Sequence, residues 1–238
     1  MRQHRSLFWL FARHSFWRVL LTLAVCGVVQ WLVFLSQLRQ ADALYDALSR
    51  CSPFFSVLLF LGFGAVSAAL LSATTGLGKH KPAYTMARLP LSPGWVLAWQ
   101  GIYNTLVYLL FWWVQALVLV GLCWFYGWQG GFLGPNTLYL TLWQAPLFHT
   151  LLPLGISGGW ASGLCLCIGL GVTGACFTAG LRRDRWNMAF FVLAGGALLF
   201  LGSGSALLIV ISVACVAGGL VAAWQSRKEE GYEEMEDL

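Results

Sequence analysis

Residues 155–159 read Gly-Ile-Ser-Gly-Gly and match the G-x-S-x-G pattern, in which a serine is the nucleophile of a hydrolase. Such a serine needs a base within hydrogen-bonding reach. The chain has no histidine after His149, so the base would have to come from the segment before Ser157. We expect a glycine-rich helix start here, and we keep an intramembrane serine hydrolase using Ser157 as the enzyme alternative.

A second stretch, residues 73–80, resembles a phosphate-binding loop only in part. Ala73 stands where that motif has its first glycine, and His80 stands where it has the serine or threonine that holds magnesium. The sequence therefore predicts no nucleotide site of this type. The seven cysteines are spread mainly through apolar segments, and Cys165 and Cys167 lack metal-ligand spacing, so we predict no metal and no cofactor.

The composition determines the class of protein. The chain has 238 residues, of which 59% are hydrophobic and only 10% are charged, whereas soluble domains carry about 25% charged residues. No Lys, Arg, Asp or Glu occurs between Leu89 and Leu181. Long apolar runs suit helices and not the alternating strands of a barrel. We predict an all-α integral membrane protein with membrane lipid and no nucleic acid among its partners.

The apolar runs predict about six transmembrane helices within a transmembrane domain at residues 17–225. Residues 1–16 are basic and aromatic and predict an amino-terminal interfacial amphipathic helix. A polar loop is expected at residues 39–52, and an acidic cytoplasmic tail at residues 226–238. The predicted spans lie near residues 17–38, 53–76, 98–126, 156–181, 186–201 and 206–224.

Residues 136–153 are apolar but contain two prolines and His149, so they either cross the membrane or lie at, or dip into, its outer face. If they do not cross, twelve Lys and Arg residues are cytoplasmic and two, Arg39 and Arg50, are external. The positive-inside rule favours this arrangement. It predicts a multi-pass protein of the cell (plasma) membrane with both termini in the cytoplasm.

Few polar side chains lie within the predicted spans. No acidic residue is among them, which argues against a carrier driven by protons or sodium ions. Two interpretations of the amides Gln30, Asn104 and Gln115 stay open. They line a substrate pathway, or they form hydrogen bonds between helices.

The loop at residues 78–100 combines positive charge, prolines that interrupt helices and several apolar side chains. A basic loop between two spans is expected on the cytoplasmic side. Its apolar side chains exceed what a linker needs, so we interpret it as a docking element for a soluble partner. The residues expected to make that contact are Lys79, Lys81, Tyr84, Met86, Arg88, Leu89, Leu91 and Trp95.

Within this loop, residues 88–93 read Arg-Leu-Pro-Leu-Ser-Pro. The stretch resembles one that follows the second span in permease subunits of type-two ABC exporters, and the general layout of spans is similar too. The resemblance implies a cytoplasmic coupling helix in the loop, a separate ATP-binding cassette subunit, and a second permease copy or paralogue. It implies export of an amphipathic or apolar substrate (a peptide, an antibiotic or a lipid-like molecule) and no catalytic residue in this chain. A non-transporting scaffold or immunity subunit stays as a further alternative.

Overall fold

The computed structural model describes residues 2–41, 43–75, 92–129, 139–140, 151–152, 157–182, 187–199 and 205–236. Within these ranges the chain is helical and contains no strand. The helices are α1 (Arg2–Leu38), α2 (Leu44–Thr75), α3 (Pro93–Trp128), α4 (Ser157–Leu181), α5 (Ala189–Leu199) and α6 (Ser205–Glu236).

Four of these helices are long and apolar enough to cross a membrane: α1 from Ser6, α2 to Ala73, α3 from Gly94 and α4 from Gly159. Many of their large apolar side chains are exposed, and lipid would cover them in a bilayer. This confirms the predicted all-α membrane protein. The apolar part of α6, Ile209–Trp224, is shorter, and α5 has only 11 residues. The count of six spans therefore stays a prediction.

Helix α1 runs without a break through residue 16, where the predicted interfacial helix ends. Leu7 and Phe11 near its start are almost completely buried, and the Phe8 ring packs edge-on against Tyr103 at 5.4 Å. One side of this first segment therefore packs against the bundle. Trp9 on its other side is exposed.

The polar loop predicted at residues 39–52 is shorter than expected, because α2 already begins at Leu44. Leu44, Ala47, Leu48 and Cys51 are buried at helical spacing, which explains why this polar stretch folds as a helix. Pro53 consequently lies inside α2 and does not start it. Arg50 and Asp46 remain at the surface, where their side chains form an ion pair at 2.9 Å.

The contacts between helices define their relative directions. Tyr103 of α3 contacts the first half of α1, and Gln115 contacts Gln30 further along, so α1 and α3 are parallel. Gln100 near the start of α3 contacts Thr178 near the end of α4, so these two helices are antiparallel. We call the end of the bundle where α3 begins and α4 ends the basal end, and the opposite end the distal end.

The remaining contacts extend this arrangement. Arg18 of α1 reaches Ser72 near the end of α2, so α2 also ends toward the basal end. Asn187, just before α5, donates a hydrogen bond to the Gly219 carbonyl oxygen of α6, so the middle of α6 lies near the start of α5. Helix α3 therefore ends, and α4 begins, at the distal end of the bundle.

Candidate functional site

The polar side chains of α3 form the feature that connects the helices. Gln100, Asn104, Tyr108 and Gln115 are all buried, at spacings of four, four and seven residues. This spacing places them on one face of a helix with 3.6 residues per turn. A buried polar group needs a partner, most of all where lipid surrounds the protein. Each of these side chains meets a neighbouring helix, and we call the set the polar face of α3.

At the basal end, Gln100 is completely buried and bridges to α4. Its Nε2 donates to Thr178 Oγ1 at 2.5 Å, and its Oε1 accepts a hydrogen bond from Arg182 Nη2 at 3.2 Å. Arg182 Nε also donates to the Thr178 carbonyl oxygen at 3.2 Å, near the carboxyl end of α4. A guanidinium is favourable there because the end of a helix carries partial negative charge. These three residues tie the start of α3 to the end of α4.

Two buried tyrosines connect α3 to the first two helices. The Tyr103 hydroxyl lies 2.5 Å from Ser15 Oγ on α1, and the Tyr108 hydroxyl lies 3.0 Å from Ser67 Oγ on α2. The Phe63 ring of α2 packs 5.7 Å from the Tyr108 ring. Hydrogen bonds of this kind contribute about 0.6 kcal/mol each between membrane helices. Their joint effect is to fix the rotation of α3 against α1 and α2.

Helices α3 and α4 pack closely together at Gly171. A Cβ atom there would lie 2.6 Å from the Thr105 backbone nitrogen and 2.9 Å from the Gly101 carbonyl oxygen. The position therefore needs glycine, as at other close crossings of membrane helices. Asn104 Nδ2 donates to the Gly171 carbonyl oxygen at 3.4 Å across the same contact.

The Gln30 and Gln115 amides meet between α1 and α3. Gln30 Nε2 donates to Gln115 Oε1 at 2.7 Å, and the two residues are 3% and 2% exposed. Gln30 Oε1 and Gln115 Nε2 have no hydrogen-bond partner among the described residues. This buried pair therefore keeps one acceptor and one donor available for a further polar group.

The structure brings together only part of the predicted pathway. Gln30 and Gln115 are in contact, whereas Asn104 lies eleven residues before Gln115, about 16 Å along α3, and bonds to α4. All three form hydrogen bonds between helices, as one of the two interpretations expects. Whether they also line a pathway stays a prediction.

Most of the predicted docking residues lie outside the described residues: Lys79, Lys81, Tyr84, Met86, Arg88, Leu89 and Leu91. Trp95 is described, in the first turn of α3, and its side chain is 56% exposed. Ser157 is the first residue of α4, while its side chain and His149 lie outside the described part. Among the described residues no group of His, Cys, Asp or Glu could hold a metal ion.

Gln100, Thr178 and the two serine–tyrosine pairs are not among the residues that the sequence predicts for a site. Gln100 belongs both to the loop at residues 78–100 and to the predicted span at residues 98–126, and it lies in the second turn of α3. The regular spacing of polar residues from Gln100 to Gln115 could have indicated one buried helix face. The choice of partners could not be predicted, because it depends on how the helices pack.

Taken together, the apolar helices and the buried polar contacts between them define a multi-pass helical membrane protein. Comparison with protein-family models, with curated proteins and with solved structures finds no match to this chain.

Proposed function

We propose that this chain is the membrane-spanning subunit of an ATP-driven exporter and works with a separate ATP-binding cassette subunit. The loop at residues 79–95 would dock on that subunit, and the chain itself would have no catalytic residue. A second copy or a paralogue would complete the transporter. The substrate would be amphipathic or apolar, and the six-span topology would place both termini in the cytoplasm.

The single observation that supports this proposal best is the position of α3. The helix begins at Pro93, within the last residues of the proposed docking loop, and its buried side chains form hydrogen bonds with α1, α2 and α4. A displacement of the loop would therefore move α3 together with the three helices bonded to it. Closely packed helices move as rigid bodies, and this is how a docked element transmits motion.

Two features at the basal end add to this support. Pro93 is pre-set for the first turn of a helix, so the loop passes directly into α3. The Gln100–Thr178–Arg182 network lies about two turns beyond Pro93. It connects the second turn of α3 to the end of α4. Force applied near Trp95 would reach α4 through side chains that are already hydrogen-bonded.

The proposal is tested by isolating the full chain from its own membranes in a mild detergent. The expected complex contains a chain that is labelled by a photoreactive ATP analogue, and it hydrolyses ATP. Labelling of Ser157 by a fluorophosphonate, lost in Ser157→Ala, would instead support the hydrolase. A preparation that contains only this chain, and neither binds nor hydrolyses ATP, would contradict the exporter.

A further inference from the structure

A shallow groove of about 540 Å³ runs between α1 and α3 on the outside of the bundle. Its described lining is apolar, and the two helices contribute the same kinds of side chain. The main lining residues are Leu20, Ala24 and Gly27 on α1 and Leu110, Val114 and Val118 on α3. All of them lie in helices long and apolar enough to cross a membrane. In a bilayer, the groove would be accessible to lipid chains.

An aromatic contact lies at the distal end of this groove. Trp31 lines the groove, and its ring packs 5.1 Å from the Phe125 ring of α3. Toward the basal end the exposed apolar surface continues on α3 through Leu106 and Ile102. A linear apolar chain could therefore enter from the basal side and extend toward Trp31.

A cation lies on the same helix face at the basal side. Arg13 precedes Leu20 by seven residues, which is about two turns, so the two residues share one face of α1 about 10 Å apart. Arg13 is exposed and forms no hydrogen bond or ion pair with the described residues. Trp9, Phe16 and Trp17 around it are also exposed, at 69%, 51% and 75%. Exposed tryptophans beside arginine are typical of the level of lipid headgroups.

We propose that this groove binds one acyl chain of an anionic phospholipid, whose phosphate lies against the Arg13 guanidinium. The groove matches the apolar chain, and Arg13 matches the negative charge of the headgroup. A zwitterionic lipid would fill the groove equally well but would gain less from the cation. One basic residue near an anionic lipid headgroup corresponds to about a fivefold difference in affinity. The proposal does not depend on the exporter function.

The chain offers a matched control for each part of the proposed site. Arg18 is also exposed, but it lies about 140° around α1 from Arg13 and donates a hydrogen bond to Ser72. Ala24 is exposed in the groove, and Ala68 is exposed on α2 outside it. Arg13→Gln can therefore be compared with Arg18→Gln, and Ala24→Phe with Ala68→Phe.

The test is native mass spectrometry of the delipidated full chain, titrated with dioleoyl phosphatidylglycerol or dioleoyl phosphatidylcholine. We expect the first phosphatidylglycerol to bind about fivefold more tightly than phosphatidylcholine. Arg13→Gln should abolish this preference and Arg18→Gln should keep it. Ala24→Phe should weaken binding of both lipids, and Ala68→Phe should leave both unchanged.

A second readout uses the unaltered chain and so does not depend on how the variants fold. Phosphatidylglycerol carrying a diazirine in its acyl chain should label residues 110–118 of α3, which line the groove. Labelling confined to other helices would overturn the proposal, as would equal affinity for the two lipids. The proposal would also be overturned if the chain forms a dimer that Ala24→Phe dissociates while lipid binding is unchanged. A second copy of the chain, and not a lipid, would then cover the groove.

Discussion

The Gln100 side chain joins the second turn of α3 to the end of α4, since its Oε1 accepts a hydrogen bond from Arg182 Nη2 at 3.2 Å. The same amide donates to Thr178, so both of its polar atoms have partners although the residue is completely buried. A side chain that satisfies two groups on another helix holds that helix in one orientation. The relationship lies at the basal end of the bundle, where α3 begins.

Replacing Gln100 with leucine should destabilise the bundle. Gln100→Leu keeps a similar volume but removes one acceptor of Arg182 and the amide that donates to Thr178. Losing buried partners of this kind costs about 1–3 kcal/mol. The free energy of unfolding in detergent micelles should fall by that amount. Gln129→Leu, at the exposed end of α3, is the control and should change it by less than about 0.5 kcal/mol. Equal stability of the two variants would contradict the structural role of Gln100.

The close contact of α3 and α4 gives a second prediction. Gly171→Ala places a Cβ against the Thr105 and Gly101 backbones, which cannot move aside as a flexible side chain could. Overpacking of this kind costs about 1–3 kcal/mol of stability. Gly64→Ala is the matched control, because a Cβ there meets no atom within 4 Å. The measurement is thermal unfolding of both variants in the same detergent, and Gly171→Ala should unfold at the lower temperature.

The apolar runs in the sequence predicted where the long helices lie, because their composition and length are local properties. They did not predict that α2 begins at Leu44, because polar residues interrupt the apolar ones in this stretch. The residues that are buried there are Leu44, Ala47, Leu48 and Cys51. Within the predicted span at residues 186–201 the described residues include α5, Ala189–Leu199, and whether this stretch crosses the membrane stays a prediction.

Less of the candidate site could be predicted than of the fold. Polar residues in α3 could be identified, but their partners Ser15, Ser67 and Thr178 are small hydroxyl residues that are common throughout the chain. Which of them meets α3 depends on the directions and crossings of four helices. That information is not contained in any one segment.

The effect of the Gln30–Gln115 pair on stability can be measured separately from any effect on transport. Gln30→Leu and Gln115→Leu should each lower the free energy of unfolding by about 1–3 kcal/mol, because each leaves the other amide buried without its partner. The double variant should be less destabilised than the sum of the two, since it leaves no unpaired amide.

This double-mutant cycle is measured by unfolding in micelles. Additive effects would contradict the hydrogen bond between the two amides. If the double variant is stable but transport is lost, the pathway interpretation of Gln30 and Gln115 gains support. If transport is unchanged, the pair serves only to hold the helices together.

The proposed orientation predicts which thiols a membrane-impermeant reagent can reach. In a background without the seven native cysteines, Asp184→Cys should resist labelling in intact cells and Ala43→Cys should be labelled quickly. Residue 43 lies between α1 and α2, at the distal end, and residue 184 follows the basal end of α4 in the chain. Labelling of the two sites in the reverse pattern would place the basal end outside and contradict the cytoplasmic docking loop.

The docking loop itself provides the most direct test. Leu89 and Leu91 lie outside the described residues, and in the exporter they would be buried in a cleft of the ATP-binding subunit. Burying one leucine stabilises a contact by about 1.5–3 kcal/mol, so losing both would weaken binding by about two orders of magnitude or more. Arg88, at the rim of the contact, should matter less and in a salt-dependent manner.

The measurement is co-purification of the ATP-binding subunit with the Leu89→Asp/Leu91→Asp variant, compared with a control pair, Asp42→Asn/Asp46→Asn, in and beside the connection between α1 and α2. The exporter function predicts that the loop variant loses the subunit and its stimulated ATP hydrolysis, while the control pair retains both. Recovery of the subunit with the loop variant at the wild-type ratio, with ATP hydrolysis still stimulated, would contradict the coupling role of the loop and the exporter function that depends on it.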